Sequence, residues 1–349
     1  MATDAPARQT PDVQLRKLST TDAFVVTDLE GAERAVGIVR LAPKILRDGA
    51  TLLARTATYQ QASFGWKVAG ASAGINATPD GRDEAVAAFV AELAEGGAPL
   101  VLLDAAKGVT DDDLAPLRPG DPRPALHRTW GHRLVGLSAA VAADAALGGL
   151  DGRRLAVERL DDVGTAFVAE ATARGAVVVA VGAAKGSVIA PDGLSAAEVV
   201  AAGTEHGEAG VDQLGTVDPT AWITAADADV VAVGSKAGVV DHTVAAGVRA
   251  GLLVPVGAVP VTARGLAVAR RQGCTVLPDF LTTAGAALAM WADADATVES
   301  LGPVVDDQVG GAVREVLGHD EGPLLGACER AEAFLATWQD ELPFGRPLA

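Results

Sequence analysis

The sequence predicts a two-domain α/β protein whose second domain is built on a doubly wound parallel sheet. From Arg154 onward, short apolar segments alternate with helix-like segments, which is typical of strands joined by crossover helices. Hydrophobic residues make up 49% of the chain but aromatic residues only 4%, a composition that suits helices packed on a buried sheet. The 349 residues are enough for two domains of ordinary size.

The charge balance argues against several classes of partner. The chain carries 45 acidic and 28 basic residues, a formal net charge of −17, and an acidic surface repels nucleic acid and anionic membranes. No apolar run reaches the roughly 20 residues of a membrane-spanning helix, and Met1–Arg16 lacks the apolar core of a signal peptide. Cys274 and Cys328 cannot form a disulfide framework, and no metal-ligand spacing is visible. We expect a cytoplasmic protein with a disordered leader over residues 1–16, no metal site, and neither nucleic-acid nor membrane partners.

The first domain is expected to span residues 17–148. Its predicted elements are strands at Phe24–Val26, Ala35–Val39 and Leu100–Leu103 (the last ending on Asp104) and helices at Arg47–Gln61, Asp83–Ala94 and Arg133–Leu147, with a proline-containing loop at 116–128. Gly148 and Gly149 are typical helix stop signals, and the domain boundary is expected there.

The second domain is expected to span residues 149–290, and helices over 291–349 are expected to pack back on the first domain. Its predicted strands are Arg154–Val157, Val177–Val181, Val230–Val233, Leu252–Val256 and Thr275–Leu277, with a helix at Val163–Arg174. Because the strand at Arg154–Val157 begins the alternation, we expect it at the centre of the sheet.

Several motifs, in a consistent order, carry a resemblance to a known family. Leu53–Gln60 resembles "LxRxMTYK", Ala69–Ile75 resembles "GGGKGGI", Leu150–Val157 resembles the start of "LxGKxVAVQGxGNVG", Lys185–Leu194 resembles "KGxxxxPDGL", and Leu277–Gly285 resembles "xPDxLxNAGG". Together they resemble the glutamate/leucine/phenylalanine/valine (amino-acid) dehydrogenases in a degenerate form. The resemblance implies an N-terminal α/β substrate and oligomerisation domain, followed by a Rossmann-type nucleotide-binding-like domain.

The resemblance also implies a reaction. The family transfers hydride from an amino-acid Cα to NAD or NADP, and it uses two lysines, one of them a base of depressed pKa. Gln60 and Ser72 occupy the matching positions, twelve residues apart, so the spacing remains without the lysines. Asp104 matches the family's aspartate that assists proton transfer. A turn or N-cap aspartate after a strand explains Asp104 equally well.

The cofactor-binding positions are degenerate as well. The G-x-G-x-x-G turn that binds a dinucleotide corresponds to Arg159, Asp161 and Gly164, so only the third glycine remains. Asp161 and Asp162 stand where the pyrophosphate would bind, and two charges about 4 Å apart repel by about 4 kcal/mol at an effective dielectric near 20. Ala183 replaces the acidic residue that would hold the ribose hydroxyls. We therefore expect no NAD or NADP, unless the family activity is retained.

Positions that would contact substrate or nicotinamide also depart from the family. Thr129 matches the threonine of "PSPxTAxG", and Thr283 stands in place of a family asparagine, so both are candidate substrate-binding residues. Ala258 replaces another asparagine, and the segment "GPxLGGxR" is missing between residues 42 and 47. Trp130 is expected to pack as a hinge residue.

Three functional hypotheses follow. The first is a pseudoenzyme that keeps the family body and binds a small-molecule metabolite or assembles as a homo-oligomer or as a hetero-oligomer with an active relative. The second is an enzyme of changed chemistry that uses Asp104, Lys67 and Lys107. The third is an active NAD(P)-dependent amino-acid oxidoreductase with atypical motifs.

Overall fold

The chain divides after Asp121 and after Arg330 in the computed structural model, which describes residues 13–97, 99–220, 222–343 and 345–349. The first unit is Met1–Asp121 with Ala331–Pro347, and the second is Pro122–Arg330 with the last two residues. The division comes earlier in the chain than the boundary expected between residues 148 and 149, because the helix that ends at Leu147 packs on other helices of the second unit.

The first unit contains a five-stranded sheet in the order β1-β2-β4-β3-β5. Its strands are β1 (Gln14–Lys17), β2 (Ala23–Thr27), β3 (Arg34–Ala42), β4 (Ala69–Asn76) and β5 (Leu100–Ala105). β3 pairs in parallel with β4 and β5, whereas β2 pairs antiparallel with β1 and β4. β4 was not predicted as a strand, because its alternating Gly and Ala give no hydrophobic period.

The expected leader over residues 1–16 lies mostly outside the described residues. Its last three residues instead belong to β1, which pairs with β2. Val13 and Leu15 pack against a buried cluster of Val26, Ala50 and Ala54, and this apolar contact holds the strand on the edge of the sheet.

Two helices of the first unit, α1 (Arg47–Ser63) and α2 (Arg82–Ala94), pack on this sheet. α1 approaches β4 closely at Gly70, where an added Cβ would lie 1.8 Å from the Ala54 carbonyl oxygen. Thr58 completes the contact, because its Oγ1 accepts a hydrogen bond of 2.8 Å from the Gly70 N–H. The expected loop over 116–128 contains a 3₁₀ turn at Ala115–Gly120, since proline in the first turn of a helix costs no hydrogen bond.

A buried ion pair links α1 to the end of β2. Arg55 Nε donates to both carboxylate oxygens of Asp28 at 2.8 Å, and its Nη1 donates to the Gly345 carbonyl oxygen at 2.6 Å. The side chains are 7% and 0% exposed. Burial raises the pKa of Asp28, and the Arg55 charge and a hydrogen bond with Thr58 oppose that rise. The arginine of the first family-like motif therefore has a structural contact here.

Glu92 holds the turn between β1 and β2. Its Oε2 accepts hydrogen bonds from the N–H groups of Ser19 and Thr20, both at 2.9 Å, and from Thr20 Oγ1 at 2.7 Å. These bonds, led by that of the Thr20 hydroxyl, lower the pKa of Glu92 to about 2. Because the pKa of an unfolded glutamate is about 4.3, the stabilisation is fully present above that value and is lost as the pH falls through about 2.

We expect Glu92→Gln to lower the free energy of unfolding at pH 6 and to approach the parent protein as the pH falls toward 2. Urea unfolding followed by circular dichroism across this range measures the difference. Glu95→Gln is the matched control, since Glu95 is an exposed residue at the end of the same helix. If the parent and Glu92→Gln differed in free energy of unfolding by the same amount at every pH, the link between the Glu92 pKa and stability would be contradicted.

The second unit contains a six-stranded sheet in the order β11-β10-β9-β6-β7-β8. Its strands are β6 (Arg154–Val157), β7 (Val177–Ala183), β8 (Gly186–Ile189), β9 (Val230–Val233), β10 (Leu252–Pro255) and β11 (Thr275–Val276). All pairings are parallel except that of β7 with β8. The predicted doubly wound sheet is confirmed, and β6 lies between β9 and β7 as expected.

The helices after Asp121 begin within the second unit, and several of them contact strands of its sheet. They are α3 (Leu126–Thr129), α4 (Gly131–Leu147), α5 (Asp162–Ala173), α6 (Ala196–His206), α7 (His242–Gly247), α8 (Ala263–Arg271), α9 (Asp279–Thr282), α10 (Gly285–Met290), α11 (Val298–Val316) and α12 (Pro323–Leu335). α4 packs on α5, α10 and α11. Within the described ranges, no helix has the length and apolarity to cross a membrane.

Candidate functional site

Gln60 and Ser72, which match the two family lysines, lie on elements of the first unit that pack together. Gln60 is half-buried in the last turns of α1, and Ser72 is 0% exposed in the middle of β4. Gly70 and Gly74 on either side of Ser72 face α1 and the segment before it, so Ser72 faces the same way. Neither side chain can carry positive charge, so these two positions supply no basic amine.

Asp104 belongs to a cluster of charges around Arg118. Arg118 Nη1 lies 3.7 Å from Asp104 Oδ1 and 3.4 Å from Asp121 Oδ2, and its Nη2 lies 2.9 Å from Asp111 Oδ1. The Asp104 side chain is 17% exposed, so it lies largely enclosed beside this cation. The structure therefore gives Asp104 a charge partner, and its role in proton transfer stays a prediction.

The two lysines of the changed-chemistry hypothesis lie in separate loops. Lys67 precedes β4 and Lys107 follows β5, and both are exposed. A catalytic amine of depressed pKa needs burial or a neighbouring positive charge. Exposure at both positions does not favour that role.

Arg40 is a functional candidate that the sequence analysis missed. It lies near the end of β3, is half-buried, and has Nε and Nη2 atoms that are enclosed without a hydrogen-bond partner among the described residues. Burial lowers the pKa of its guanidinium. The sequence analysis ended the predicted strand at Val39 and so left Arg40 out. The signal that could have identified Arg40 is a single cation within an apolar run.

Asp161 occupies the N-terminus of α5 in the second unit. Its Oδ1 accepts the Gly164 N–H at 2.9 Å, and its carbonyl oxygen accepts the Thr165 N–H at 2.7 Å. The side chain therefore takes an N–H group that a bound pyrophosphate would use. Gly164 has a packing role of its own, because an added Cβ would lie 1.8 Å from the Arg159 carbonyl oxygen.

The side chains of Arg159 and Glu158 fill the space between the ends of β6 and β9. Arg159 forms an ion pair with Asp161, donates from Nη1 to the Ser235 carbonyl oxygen at 3.2 Å, and lies 3.7 Å from Glu208. Glu158 Oε2 accepts the N–H groups of Gly234 and Ser235 at 2.7 and 3.0 Å. Because Arg159 neutralises Asp161, the electrostatic repulsion of a pyrophosphate is weaker than the sequence suggested. The obstruction of the pyrophosphate position by these side chains is therefore largely steric.

Ala183 is the remaining cofactor position. It ends β7 and pairs with Gly186 of the β7–β8 hairpin, so residue 183 itself supplies no carboxylate for ribose hydroxyls. A cavity of about 460 Å³ adjoins it, lined by Glu158, Arg159, Ala183, Glu208, Trp222 and Lys236 among others. Arg159 lines this cavity and forms an ion pair with Asp161, at the position where the resemblance implies that the phosphates would bind. The residues present therefore do not fit a dinucleotide bound in the family manner.

The hydroxyls of Thr129 and Thr283, the candidate substrate-binding residues, both donate hydrogen bonds to backbone carbonyl oxygens. Thr129 Oγ1 donates to the Ala125 carbonyl oxygen at 3.2 Å, and Thr283 Oγ1 donates to that of Asp279 at 2.8 Å. Their role in substrate binding stays a prediction. Trp130 was expected to be packed, but it is 45% exposed. Its ring lies 5.7 Å from the Arg133 guanidinium, a contact that can form at the surface.

Nucleophilic catalysis by cysteine and metal-ion chemistry both have little support in this structure. Burial raises the pKa of the Cys274 thiol to about 11, so a thiolate nucleophile is scarce at neutral pH. Within the residues that the structure describes, no group of three or more His, Cys, Asp or Glu side chains could hold a metal ion.

Comparison with known proteins supports the resemblance. Residues 131–293 match the family model described as Glutamate/Leucine/Phenylalanine/Valine dehydrogenase. No curated protein matches the sequence at a significant level.

Several solved structures are similar over most of the chain. A hetero-hexameric glutamate dehydrogenase from Thermus thermophilus, in a leucine-bound form, is 22% identical, with coverage of 95% of this chain and 91% of that chain and a TM-score of 0.75. An L-tryptophan dehydrogenase from Nostoc punctiforme is 16% identical, with 94% and 96% coverage and a TM-score of 0.67. A Plasmodium falciparum glutamate dehydrogenase is 13% identical, with 90% and 79% coverage and a TM-score of 0.71. The chain thus resembles the amino-acid dehydrogenases and has their fold, as the sequence predicted.

Proposed function

We propose that this chain, which resembles the glutamate/leucine/phenylalanine/valine dehydrogenases, is a pseudoenzyme of that family: it keeps the fold and has lost dinucleotide-dependent catalysis. The observation that supports the proposal is that side chains of the protein bind the N–H groups at the position that the resemblance assigns to the dinucleotide. Asp161 binds the first turn of α5, and Glu158 binds the N–H groups that follow β9. A pyrophosphate would have to displace both carboxylates and the Arg159 side chain.

The first unit supports the same conclusion from separate residues. Hydride transfer from an amino acid requires a base for the departing proton and a cation for the carboxylate. Gln60 and Ser72 supply neither at the positions where the family has lysines. Asp104 alone does not replace both lysines, because a carboxylate cannot serve as the cation for a substrate carboxylate.

Assembly is the second part of the proposal. The similar glutamate dehydrogenase from Thermus thermophilus is a hetero-hexamer. We infer that this chain likewise forms an oligomer, with itself or with an active relative, and acts in the cytoplasm. A noncatalytic subunit of this kind influences its partner through contacts between subunits. Light scattering of the purified chain, with and without a co-expressed relative, measures the assembly.

We expect no binding of NAD or NADP at millimolar concentration, because Asp161, Glu158 and Arg159 fill the position of the phosphates. Isothermal titration calorimetry of each dinucleotide into the whole protein tests this. A dissociation constant below about 100 µM, or about −5.5 kcal/mol, would overturn the pseudoenzyme proposal in favour of an active oxidoreductase.

A nicotinamide absorbance assay with all twenty standard amino acids provides the second measurement. We expect no turnover, since loss of a catalytic base alone typically lowers rates by about 10²–10⁴. The double variant Gln60→Lys, Ser72→Lys is expected to stay inactive because the cofactor position is still filled. Activity in that variant would show that the dinucleotide is tolerated and that the argument from Asp161 and Arg159 is wrong.

A further inference from the structure

The cavity of about 460 Å³ beside Ala183 has room for a small ligand. All of its lining residues belong to the second unit, and they come largely from the segments that follow β6, β7 and β9. Crevices at the carboxyl ends of parallel strands are the usual ligand positions of an open α/β sheet. The volume falls within the range of about 300–1,000 Å³ that is typical of small-molecule sites.

Lys236 and Glu208 are the two charged residues of the lining that are free to bind a ligand. Lys236 is exposed, and no ion pair of Lys236 occurs among the described residues. Glu208 has Arg159 Nε as its charge partner at 3.7 Å, which is too long for a hydrogen bond. The Glu208 side chain is 41% exposed, so its carboxylate oxygens can accept hydrogen bonds from a ligand.

Arg159 places these two residues close together. Its guanidinium lies beside Glu208 through Nε and donates from Nη1 to the Ser235 carbonyl oxygen at 3.2 Å. Lys236 is the next residue after Ser235, so its backbone lies about one guanidinium group away from the Glu208 carboxylate. The flexible stem of a lysine lets its ammonium group approach a ligand that Glu208 also holds.

The charge balance of the lining favours a ligand that carries both signs. The lining contains two acidic residues, Glu158 and Glu208, and two basic residues, Arg159 and Lys236. Glu158 accepts backbone N–H groups and Arg159 pairs with Asp161, so both are engaged within the protein. An ammonium and a carboxylate remain for the ligand. A zwitterion matches both charges, whereas an anion or a cation matches only one of them.

Trp222 supplies an apolar surface in the same cavity. It is the largest of the lining residues and is half-buried. Among the described residues, its indole makes no contact with another aromatic ring or with a cation. Ala183, Pro219 and Val239 line the cavity as well. Aromatic rings pair favourably in offset-stacked or edge-to-face arrangements, so this lining suits an aromatic group.

We propose that the cavity binds a small aromatic zwitterion, of which a free aromatic amino acid is the simplest example. Glu208 accepts from the ligand ammonium, Lys236 donates to its carboxylate, and Trp222 packs on its ring. The site lies in the second unit, whereas Gln60 and Ser72 lie in the first. The inference rests on the proposed function in one respect, because the cavity is available only when no dinucleotide fills it.

The test titrates L-phenylalanine and L-tryptophan into the whole protein without any nucleotide. Calorimetry gives the affinity, and the melting temperature should rise because the ligand binds only the folded state. Three related compounds each lack one recognised group: N-acetyl-L-phenylalanine lacks the ammonium, L-phenylalanine amide lacks the carboxylate, and L-alanine lacks the ring. We expect each of them to bind at least about tenfold more weakly than L-phenylalanine, since a charge-assisted hydrogen bond or the ring contact is lost.

Variants of the lining assign each ligand group to its residue. Lys236→Met should weaken L-phenylalanine binding about tenfold and leave the binding of L-phenylalanine amide unchanged. Glu208→Gln should weaken L-phenylalanine binding to a similar extent and leave that of N-acetyl-L-phenylalanine unchanged. Trp222→Ala should weaken the binding of every aromatic compound, and Trp222→Phe should keep most of it.

Lys185→Met and Glu205→Gln are the matched controls. Both residues are exposed and lie near the cavity in sequence, but neither lines it. Lys185 pairs with Asp212, and Glu205 lies 3.8 Å from His206. Because their substitutions remove the same charges as Lys236→Met and Glu208→Gln, they correct for a general effect of protein charge. We expect parent-like binding of L-phenylalanine in both controls.

Two results would overturn this site. One is a parent protein that binds neither L-phenylalanine nor L-tryptophan at about 10 mM. The other is parent-like binding of L-phenylalanine in both Lys236→Met and Glu208→Gln, which would place the ligand elsewhere. These two variants decide the matter if Trp222→Ala folds poorly, because both alter partly exposed side chains. The titrations contain no NAD, so a failure here is distinct from NAD binding, which would overturn the proposed function.

Discussion

Arg55→Met is expected to lower the free energy of unfolding by about 3–5 kcal/mol, because it leaves the Asp28 carboxylate buried without its partner. The Asp28 side chain is 0% exposed, and Arg55 Nε donates to both of its oxygens. The variant also loses the bond to the Gly345 carbonyl oxygen, which ties the last residues of the first unit to α1.

Urea unfolding of parent and variant at pH 7 measures this effect, and two further variants define its cause. The double variant Asp28→Asn, Arg55→Met should recover part of the loss, since no charge remains buried. Arg330→Met removes a more exposed ion pair with Glu315 and should cost about 1 kcal/mol or less. A loss from Arg55→Met no larger than that from Arg330→Met would show that the buried pair contributes little.

The pH dependence of Arg55→Met gives an independent check. Burial already raises the pKa of Asp28, and removing Arg55 raises it further. The carboxyl group can then take up a proton in the folded state, so the variant regains stability as the pH is lowered toward about 4. The difference from the parent protein should therefore shrink in acid.

Gly164→Ala is expected to destabilise the second unit by about 3 kcal/mol. The new Cβ would lie 1.8 Å from the Arg159 carbonyl oxygen, so α5 must move away from the end of β6. The prediction explains why this glycine remains where the other two of the dinucleotide motif do not. Its constraint is the packing of helix against strand, and that constraint persists without a cofactor.

Gly311→Ala is the matched control for Gly164→Ala. Gly311 lies within α11, and an added Cβ would meet no atom within 4 Å. Helix propensity then dominates, and the substitution should stabilise the protein by about 1 kcal/mol. Opposite signs for the two substitutions are the expected result. Equal changes in the free energy of unfolding would show that the backbone near Arg159 moves easily to make room for a Cβ. Packing would then not explain why position 164 is glycine.

Hydrophobic patterning predicted β6, β7, β9, β10 and β11 of the second unit within a few residues, but it did not predict β8. Val230–Val233, for example, is a fully apolar run bounded by polar residues, so burial on both faces is evident from the sequence alone. β4 was missed for the opposite reason. Its Gly and Ala residues are selected by the close approach of α1, which leaves no hydrophobic period.

The sequence by itself determined the fold class, the family resemblance and the absence of lysine at Gln60 and Ser72, because these depend on residue type and order along the chain. Tertiary structure decided how charges are paired, since pairing depends on strand register and side-chain direction. Only the structure shows that Arg159 neutralises Asp161 and that Asp104 lies beside Arg118. It likewise shows that Arg40 has no such partner among the described residues. Strands distant in sequence bring these groups together or keep them apart, so motif spacing could not reveal their contacts.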